Sequence, residues 1–266
     1  MRIGDDVVAD FQRDGVVVLR SVFRDWVETL ERGVTEVMNR PSPLERSYQP
    51  KDGSAAFFQD YCNWSRIPAF RSFIFDSPAA QVAARLMQSR VARFFHDHIL
   101  VKRPGNSTVT PWHHDQPYYC VQGGQSVSFW TPLDSVSRSV TLECVAGSHR
   151  WTAAGFRPVR FDGTPLFENE SFEDMPDIES RREQLPIRGW EMDPGDAVAF
   201  DFRTIHSAPA NTSPSMRRVF STRWVGADAR FVGRGKAGSP PFPNLRLADG
   251  APFDAPEFPV IYAETD

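Results

Sequence analysis

Cysteine is scarce in this chain of 266 residues: Cys62, Cys120 and Cys144 are the only three. They are odd in number, widely spaced and form no Cys-x-x-Cys pair, which excludes a disulfide framework and suits a reducing compartment. No apolar run approaches the length that crosses a bilayer. The opening MRIGDDVVAD has neither the basic nor the apolar stretch of a secretory leader, so a cytoplasmic protein without membrane contact is the expectation. Net charge is only −4, with no clustered Lys or Arg. The electrostatic footprint of a nucleic-acid binder or of a protein docked on anionic lipid is therefore missing, and a small molecule is the expected partner. Internal repeats and low-complexity linkers are absent as well.

What remains is ordinary globular composition with a generous aromatic share of 12%, enough to fill a core. All-β sandwiches reach this length as one unit, so residues 1–266 are expected to form a single domain. Residues 1–90 read as a helical layer. Val7, Val8 and Phe11 suggest a helix that breaks at Gly15 into a strand over 16–19. Trp26, Leu30, Val34 and Met38 recur every four residues, the apolar face of a helix over 25–38 that Pro41 and Pro43 close. A third helical stretch spans 70–87, interrupted near Ser77-Pro78.

From about Arg90 the pattern alternates. Strands are predicted over 91–102, 110–116, 126–133, 141–145, 197–206 and 217–225. Many medium strands after a helical layer predict a mainly β protein, a sandwich or jelly roll with helices packed on one outer face. The core would run from 90 to 226. An acidic insert over 151–188 interrupts it and reads as a lid, and a Pro/Gly-rich tail over 233–266 is expected to wrap the surface in extended form.

The six histidines concentrate the chemistry. In TPWHHDQPYY, His113 and Asp115 are two apart, and on a strand positions i and i+2 share a face. Two imidazoles and one carboxylate on one face of an octahedron are the ligand set of non-haem Fe(II) oxygenases, with three positions left open. The third ligand would be His206, at the end of PGDAVAFDFRTIH. If the chain then turns between Asn211 and Thr212, His206 lies across a hairpin from Arg217, whose planar fork suits a carboxylate. Arg218 would face the other way, and a one-residue slip would exchange the two.

Taken together, FQRDGVVVLR, HILVKRPGNSTVTPWHHDQPYY, SFWTPLD, LECVAGSHRW, PGDAVAFDFRTIHSAPAN and the RR strand resemble the phytanoyl-CoA dioxygenase family of Fe(II)/2-oxoglutarate oxygenases. The resemblance runs nearly the whole length and implies a double-stranded β-helix core. It implies His113, Asp115 and His206 as metal ligands and catalytic centre, with Fe(II), 2-oxoglutarate and O₂ as cofactor and co-substrates. Arg217 becomes the partner of 2-oxoglutarate, Trp130 a packing residue in its pocket, and Lys102 and Thr110 neighbours there. Hydroxylation of a small organic molecule, with release of succinate and CO₂, is the implied outcome. The chain departs from the family at His114, where Gln is common, and at Ala208, where Ser is common. It keeps Asp115, which halogenating relatives replace by a small residue.

Rival readings remain. His96 and His98 form a His-x-His that a cupin-like metalloenzyme not using 2-oxoglutarate would need, although no Glu follows at the usual spacing. A jelly roll that binds a ligand without catalysis is a further alternative. His98, Phe95, Tyr118, Tyr119 and Phe202, with Trp224, are candidates for a substrate pocket, and Arg103, Arg157, Arg160 and Arg203 for contact with an anionic substrate. His149 reads as structural.

Overall fold

A computed structural model describes residues 3–160, 164–167, 172–234 and 238–264. Helix α1 (Asp5–Asp14) stops at Gly15, which takes φ 69° and returns its N–H to the Phe11 carbonyl at 2.8 Å. A Cβ there would lie 2.3 Å from His149 Nδ1, so the position needs glycine for both its backbone angle and the close approach. Strand β1 (Val16–Leu19) follows directly. After a 3₁₀ turn over Arg24–Trp26 comes α2 (Val27–Asn39). Helices α3 (Pro68–Asp76) and α4 (Ala79–Met87) are separated at Ser77-Pro78, as the proline signal predicts.

Between these helices lies β2 (Phe57–Tyr61), and then the twelve-residue β3 (Val91–Lys102) opens the β core. The remaining strands are β4 (Thr110–His113), β5 (Val121–Gln122), β6 (Ser126–Pro132), β7 (Glu143–Val145), β8 (Ile187–Arg188), β9 (Ala197–Phe200), β10 (His206–Ala208), β11 (Arg217–Val225), β12 (Arg230–Phe231) and β13 (Val260–Ala263). A seven-stranded sheet runs β1-β9-β6-β11-β3, with β2 and β13 both pairing with β3 at its two ends. A four-stranded sheet runs β4-β10-β7-β8, and β12 pairs with β5 as a small ribbon. Every pairing between these strands is antiparallel, giving the jelly roll that the strand pattern predicts, in the double-stranded β-helix form that the family resemblance implies.

Helices α1 to α4 cover the outer face of the large sheet. Phe23, Leu30, Val34, Phe70 and Phe73 pack there against Phe129, Phe220 and Trp224. The inner face, with Trp130, Val198, Phe200 and Val219, meets Leu142 and Cys144 from the side of the small sheet. Alternation assigns each strand residue to one layer or the other. Along β3, Ile99 and Val101 face the helices, and so does Phe94, one step out of phase with them. The phase shift is a bulge. Arg223 pairs with His96 and Trp224 with Phe94, leaving Phe95 as the extra residue.

Several expectations need correction. The stretch 197–206 is not one strand: β9 lies in the large sheet and β10 in the small one. The chain crosses between them through a turn at Asp201–Thr204, which the Asp201 N–H and the Thr204 hydroxyl fasten to the Gly15 carbonyl. Consequently β10 and β11 are in different sheets and form no hairpin. Strand 110–116 ends at His113, and 141–145 begins at Glu143. The insert is not wholly outside the sandwich, because its last residues form β8. The tail does more than wrap the surface: Phe253 and Phe258 are buried in an aromatic cluster, and β13 extends the large sheet. Its prolines hide any apolar period, so only the packed structure reveals its contribution to the core. None of the three cysteines is bridged. Among the described residues, no helix is long and apolar enough to cross a membrane.

Phe220 joins the helical layer to the sheet, stacked on Phe70 at 4.3 Å and edge-on to Phe73 at 5.6 Å. Phe220→Ala is expected to cost about 3–5 kcal/mol in urea denaturation. A loss within experimental error would contradict its central place in that layer.

Candidate functional site

His113 ends β4 and His206 begins β10, and the two are directly paired in the small sheet, with ring centroids 4.2 Å apart. Asp115 lies just past the strand, in helical conformation at the start of a 3₁₀ turn over Gln116–Tyr118. It therefore reaches the same point by a turn rather than by strand alternation. Its Oδ1 is 3.7 Å from His113 Nε2 and 3.8 Å from His206 Nε2. One ligand atom from each residue falls within 4.8 Å of the others, a spacing that fits one metal ion.

The donor set also has the right protonation. His113 Nδ1 donates to the Pro111 carbonyl at 2.7 Å and His206 Nδ1 to the Thr204 carbonyl at 2.9 Å. A carbonyl only accepts, so each Nδ1 carries a proton, which in the neutral ring is the tautomer that leaves the Nε2 lone pair for the centre. Burial, reinforced by His113, pushes the His206 pKa down to about 3. Burial works against the Asp115 carboxylate, but His206, Arg223 and His113 outweigh it and hold the group well below the usual range. The three residues thus turn two imidazole Nε2 atoms and one carboxylate oxygen toward the same point.

Across the sandwich, Arg217 on β11 is paired with Lys102 on β3, and both are buried. The Arg217 guanidinium donates to the carbonyls of Val140 and, at 3.2 Å, Pro209. Lys102 Nζ donates to the carbonyls of Thr108 at 2.6 Å and Pro209 at 3.1 Å, with Thr110 Oγ1 at 3.4 Å. Neither cation has a carboxylate partner among the described residues. Burial and the neighbouring Arg217 bring Lys102 down to about 6, and burial brings Arg217 down to about 10. Adjacent buried cations of this kind call for an anion. Arg218 faces outward to Asp134 and Glu31, at 2.7 and 2.8 Å. The expected division between Arg217 and Arg218 therefore holds, but the hairpin invoked for it does not exist. Strand alternation and the Lys102 pairing place Arg217 in the interior instead.

A cavity of about 640 Å³ joins these two groups. Trp130, Thr110, His98, Tyr118 and Tyr119 line it, as does Arg160 from the insert. Phe95 and Phe202 do not. The β3 bulge turns Phe95 into a cluster with Phe202, Phe253 and Phe258, and Trp224 faces the helices. Arg157 pairs with Asp174 and Arg203 with Asp201, while Arg103 is exposed outside the cavity. His149 packs beside Gly15. His96 is buried away from the converging ligands, and among the described residues neither it nor His98 joins a metal-sized group. That removes the geometric basis of the cupin-like rival.

Sequence reasoning missed Arg223. Its Nη2 lies 3.6 Å from Asp115 Oδ2, and its Nε donates to the Tyr119 hydroxyl at 2.9 Å. Counting in twos from Arg217 along RRVFSTRWV would have found it. Tyr61, stacked on His98 at 3.9 Å, was missed as well, because β2 lies in the segment read as helical. The insert is tied to the ligand-bearing segment at two points. His114 Nε2 accepts the Phe156 N–H at 2.7 Å, and the Tyr118 hydroxyl both donates to the Val159 carbonyl and accepts its N–H, at 2.8 and 2.9 Å. Of the acidic insert 151–188 read as a lid, residues 161–163 and 168–171 lie outside the described residues.

Comparison with known proteins defines the class. The phytanoyl-CoA dioxygenase family model matches residues 11–219. A protein of Caenorhabditis elegans described as a probable phytanoyl-CoA dioxygenase is 24% identical over 143 residues, 52% of this chain. The match spans 44% of that relative, less than half its length. Among solved structures, SnoK, a non-haem α-ketoglutarate-dependent carbocyclase from nogalamycin biosynthesis, superposes with a TM-score of 0.78 at 21% identity over 97% of this chain and 96% of its own. The EctD protein of S. alaskensis gives 0.65 at 19% identity over 84% and 77%. The chain belongs to the phytanoyl-CoA dioxygenase family.

His96, His98, His114 and His206 all have depressed pKa values, His114 down to about 4, with burial the first cause in each. Between pH 6.5 and 4 the unfolded chain binds protons there that the fold refuses, so stability falls as pH falls. Asp97, raised to about 6 by burial, opposes this alone. The melting temperature of the metal-free protein is therefore expected to drop on acidification from pH 7 to 5, measured by thermal denaturation. A flat or rising profile would contradict the neutral, buried state of these rings.

Proposed function

We propose that His113 Nε2, Asp115 Oδ1 and His206 Nε2 hold Fe(II), and that Arg217 binds the distal carboxylate of 2-oxoglutarate. The observation that carries this reading is the convergence of two Nδ1-tethered imidazoles with one carboxylate, opposite a pair of buried cations that lack an acid. Lys102 adds charge and Thr110 a hydroxyl to the same pocket, and Trp130 forms part of its wall. Arg223 lies beside Asp115 Oδ2, which leaves Oδ1 turned to the histidines as a single ligand atom.

With O₂, the bound iron and 2-oxoglutarate supply oxidation of an unactivated C–H bond, releasing succinate and CO₂. The protein's part would be to hold the metal through His113, Asp115 and His206, to anchor a carboxylate of the co-substrate at Arg217, and to exclude water behind the aromatic wall. Hydroxylation of a small organic molecule in the cytoplasm is the reading we adopt. SnoN is described as an epimerase in complex with Fe³⁺, α-ketoglutarate and nogalamycin RO, and EctD was solved with 2-oxoglutarate and 5-hydroxyectoine. Proteins of one fold thus carry different descriptions, a carbocyclase and an epimerase among them.

Fe(II) and 2-oxoglutarate added without oxygen are expected to give the weak visible charge-transfer band of the chelate. His206→Ala should abolish the band. Arg217→Ala should raise the 2-oxoglutarate concentration needed by roughly 30-fold or more, as loss of a buried charge pair worth at least 2 kcal/mol implies. A full band in His206→Ala would remove that residue from the ligand set.

A further inference from the structure

The cavity carries more positive charge than its co-substrate needs. Arg46, Lys102, Arg160, Arg217 and Arg223 line it, against Asp115 as the only acid among the described lining residues. On the reading above, Lys102 and Arg217 meet 2-oxoglutarate, and Arg223 lies against Asp115. Arg46 and Arg160 are left over. Neither has a carboxylate partner among the described residues. Arg46 Nη1 donates to the carbonyls of Glu45 at 2.7 Å and Pro43 at 3.3 Å. Arg160 Nη1 donates to the Pro165 carbonyl at 2.7 Å and to Thr164 Oγ1 at 3.3 Å. The whole chain is acidic, at −4, so this surplus is local to the cavity.

Both arginines are exposed, and exposed arginines are commonly no more than solvated surface. These two differ in being held by the cavity's own walls. The Arg46 N–H is bonded to the Gln59 carbonyl on β2 at 2.9 Å, and Gln59 itself lines the cavity. Arg160 follows Val159, whose N–H and carbonyl are both bonded to the Tyr118 hydroxyl, three residues past Asp115. Much of the remaining lining of the same cavity is aromatic or apolar, including Tyr48, Phe57, Tyr61, Tyr118, Val159 and Leu166. A volume of about 640 Å³ lies within the roughly 300–1,000 Å³ of sites that enclose a drug-sized ligand.

We infer that the primary substrate is an amphiphile with an anionic head, a carboxylate or a phosphate- or sulfonate-like oxyanion, which Arg46 and Arg160 bind while its apolar body lies along the aromatic wall. This rests on the proposed iron and 2-oxoglutarate centre, because that centre accounts for Lys102 and Arg217. Arg160 thereby gives the insert a role in substrate choice, with Tyr118 as its positioning residue.

The test uses two fluorescent probes with one aromatic body, 8-anilinonaphthalene-1-sulfonate and uncharged N-phenyl-1-naphthylamine. Each is titrated without oxygen into protein loaded with Fe(II) and saturating 2-oxoglutarate. Charged hydrogen bonds to the sulfonate should make it bind about ten-fold tighter or more in the wild type, and the preference should shrink to about two-fold in the double variant Arg46→Gln/Arg160→Gln. Arg103→Gln, an exposed arginine outside the cavity, should keep the full preference. Equal affinities in the wild type, a preference that survives the double variant, or one lost equally in Arg103→Gln would each overturn the inference while the chelate band still forms. Absence of that band in the wild type would instead remove the metal-centre reading, and this inference with it.

Discussion

The antiparallel pairing of β11 with β3 is the constraint on which the rest of the structure depends. Its register sends Arg217, Val219 and Arg223 from one strand, and Lys102, Leu100 and His98 from the other, into the sandwich. The same register sends Phe220, Ile99 and Val101 outward to the helices. A slip of one residue would exchange these sets, bury polar groups under α2 and α3, and put phenylalanine beside the proposed iron. The hydrophobic layer and the candidate site are therefore two sides of one choice. Packing of the outer face holds the buried cations of the inner face in place, although such cations are costly by themselves.

The small sheet has the complementary task. It is short, and its edge pairing of β4 with β10, His113 opposite His206, brings the two imidazoles together. What suits them to the proposed role is the carbonyl that each Nδ1 finds, since that contact fixes the ring and turns Nε2 toward Asp115. The turn that delivers His206 is fastened to Gly15, the residue that also ends α1. The N-terminal layer thus bears on the site, although it contributes no ligand.

Electrostatics inside the cavity follow from these placements. Asp115 draws its depressed pKa from His206, Arg223 and His113 despite its burial. Lys102 and Arg217 are both pushed downward by burial, because the surrounding protein solvates their charged forms less well than water does. An anion between them would relieve that cost, and here the proposed co-substrate becomes part of the local stability. The insert and the tail close the cavity from outside: Val159, Arg160 and Leu166 come from one, and Gly238, Ser239 and Pro241 from the other.

By itself, the sequence determined the class, the alternation of long strands and the identity of the converging residues. His-x-Asp, a distant His after an apolar strand, and paired arginines are local patterns that survive any detail of folding. β3 and β11 were legible to the residue because alternation over nine or more positions leaves little freedom. Only the tertiary structure decided which sheet each short strand joins, because three residues such as those of β10 hold too few side chains to show a period. It decided that Arg217 faces inward through pairing with Lys102 rather than through a hairpin. It decided that a single extra residue turns Phe95 into an aromatic cluster fed by a proline-broken tail. It decided that Arg223 stands beside Asp115, one hundred and eight positions away along the chain. Such contacts depend on crossings and bulges, whose energies come from partners remote in sequence, and no local pattern records them.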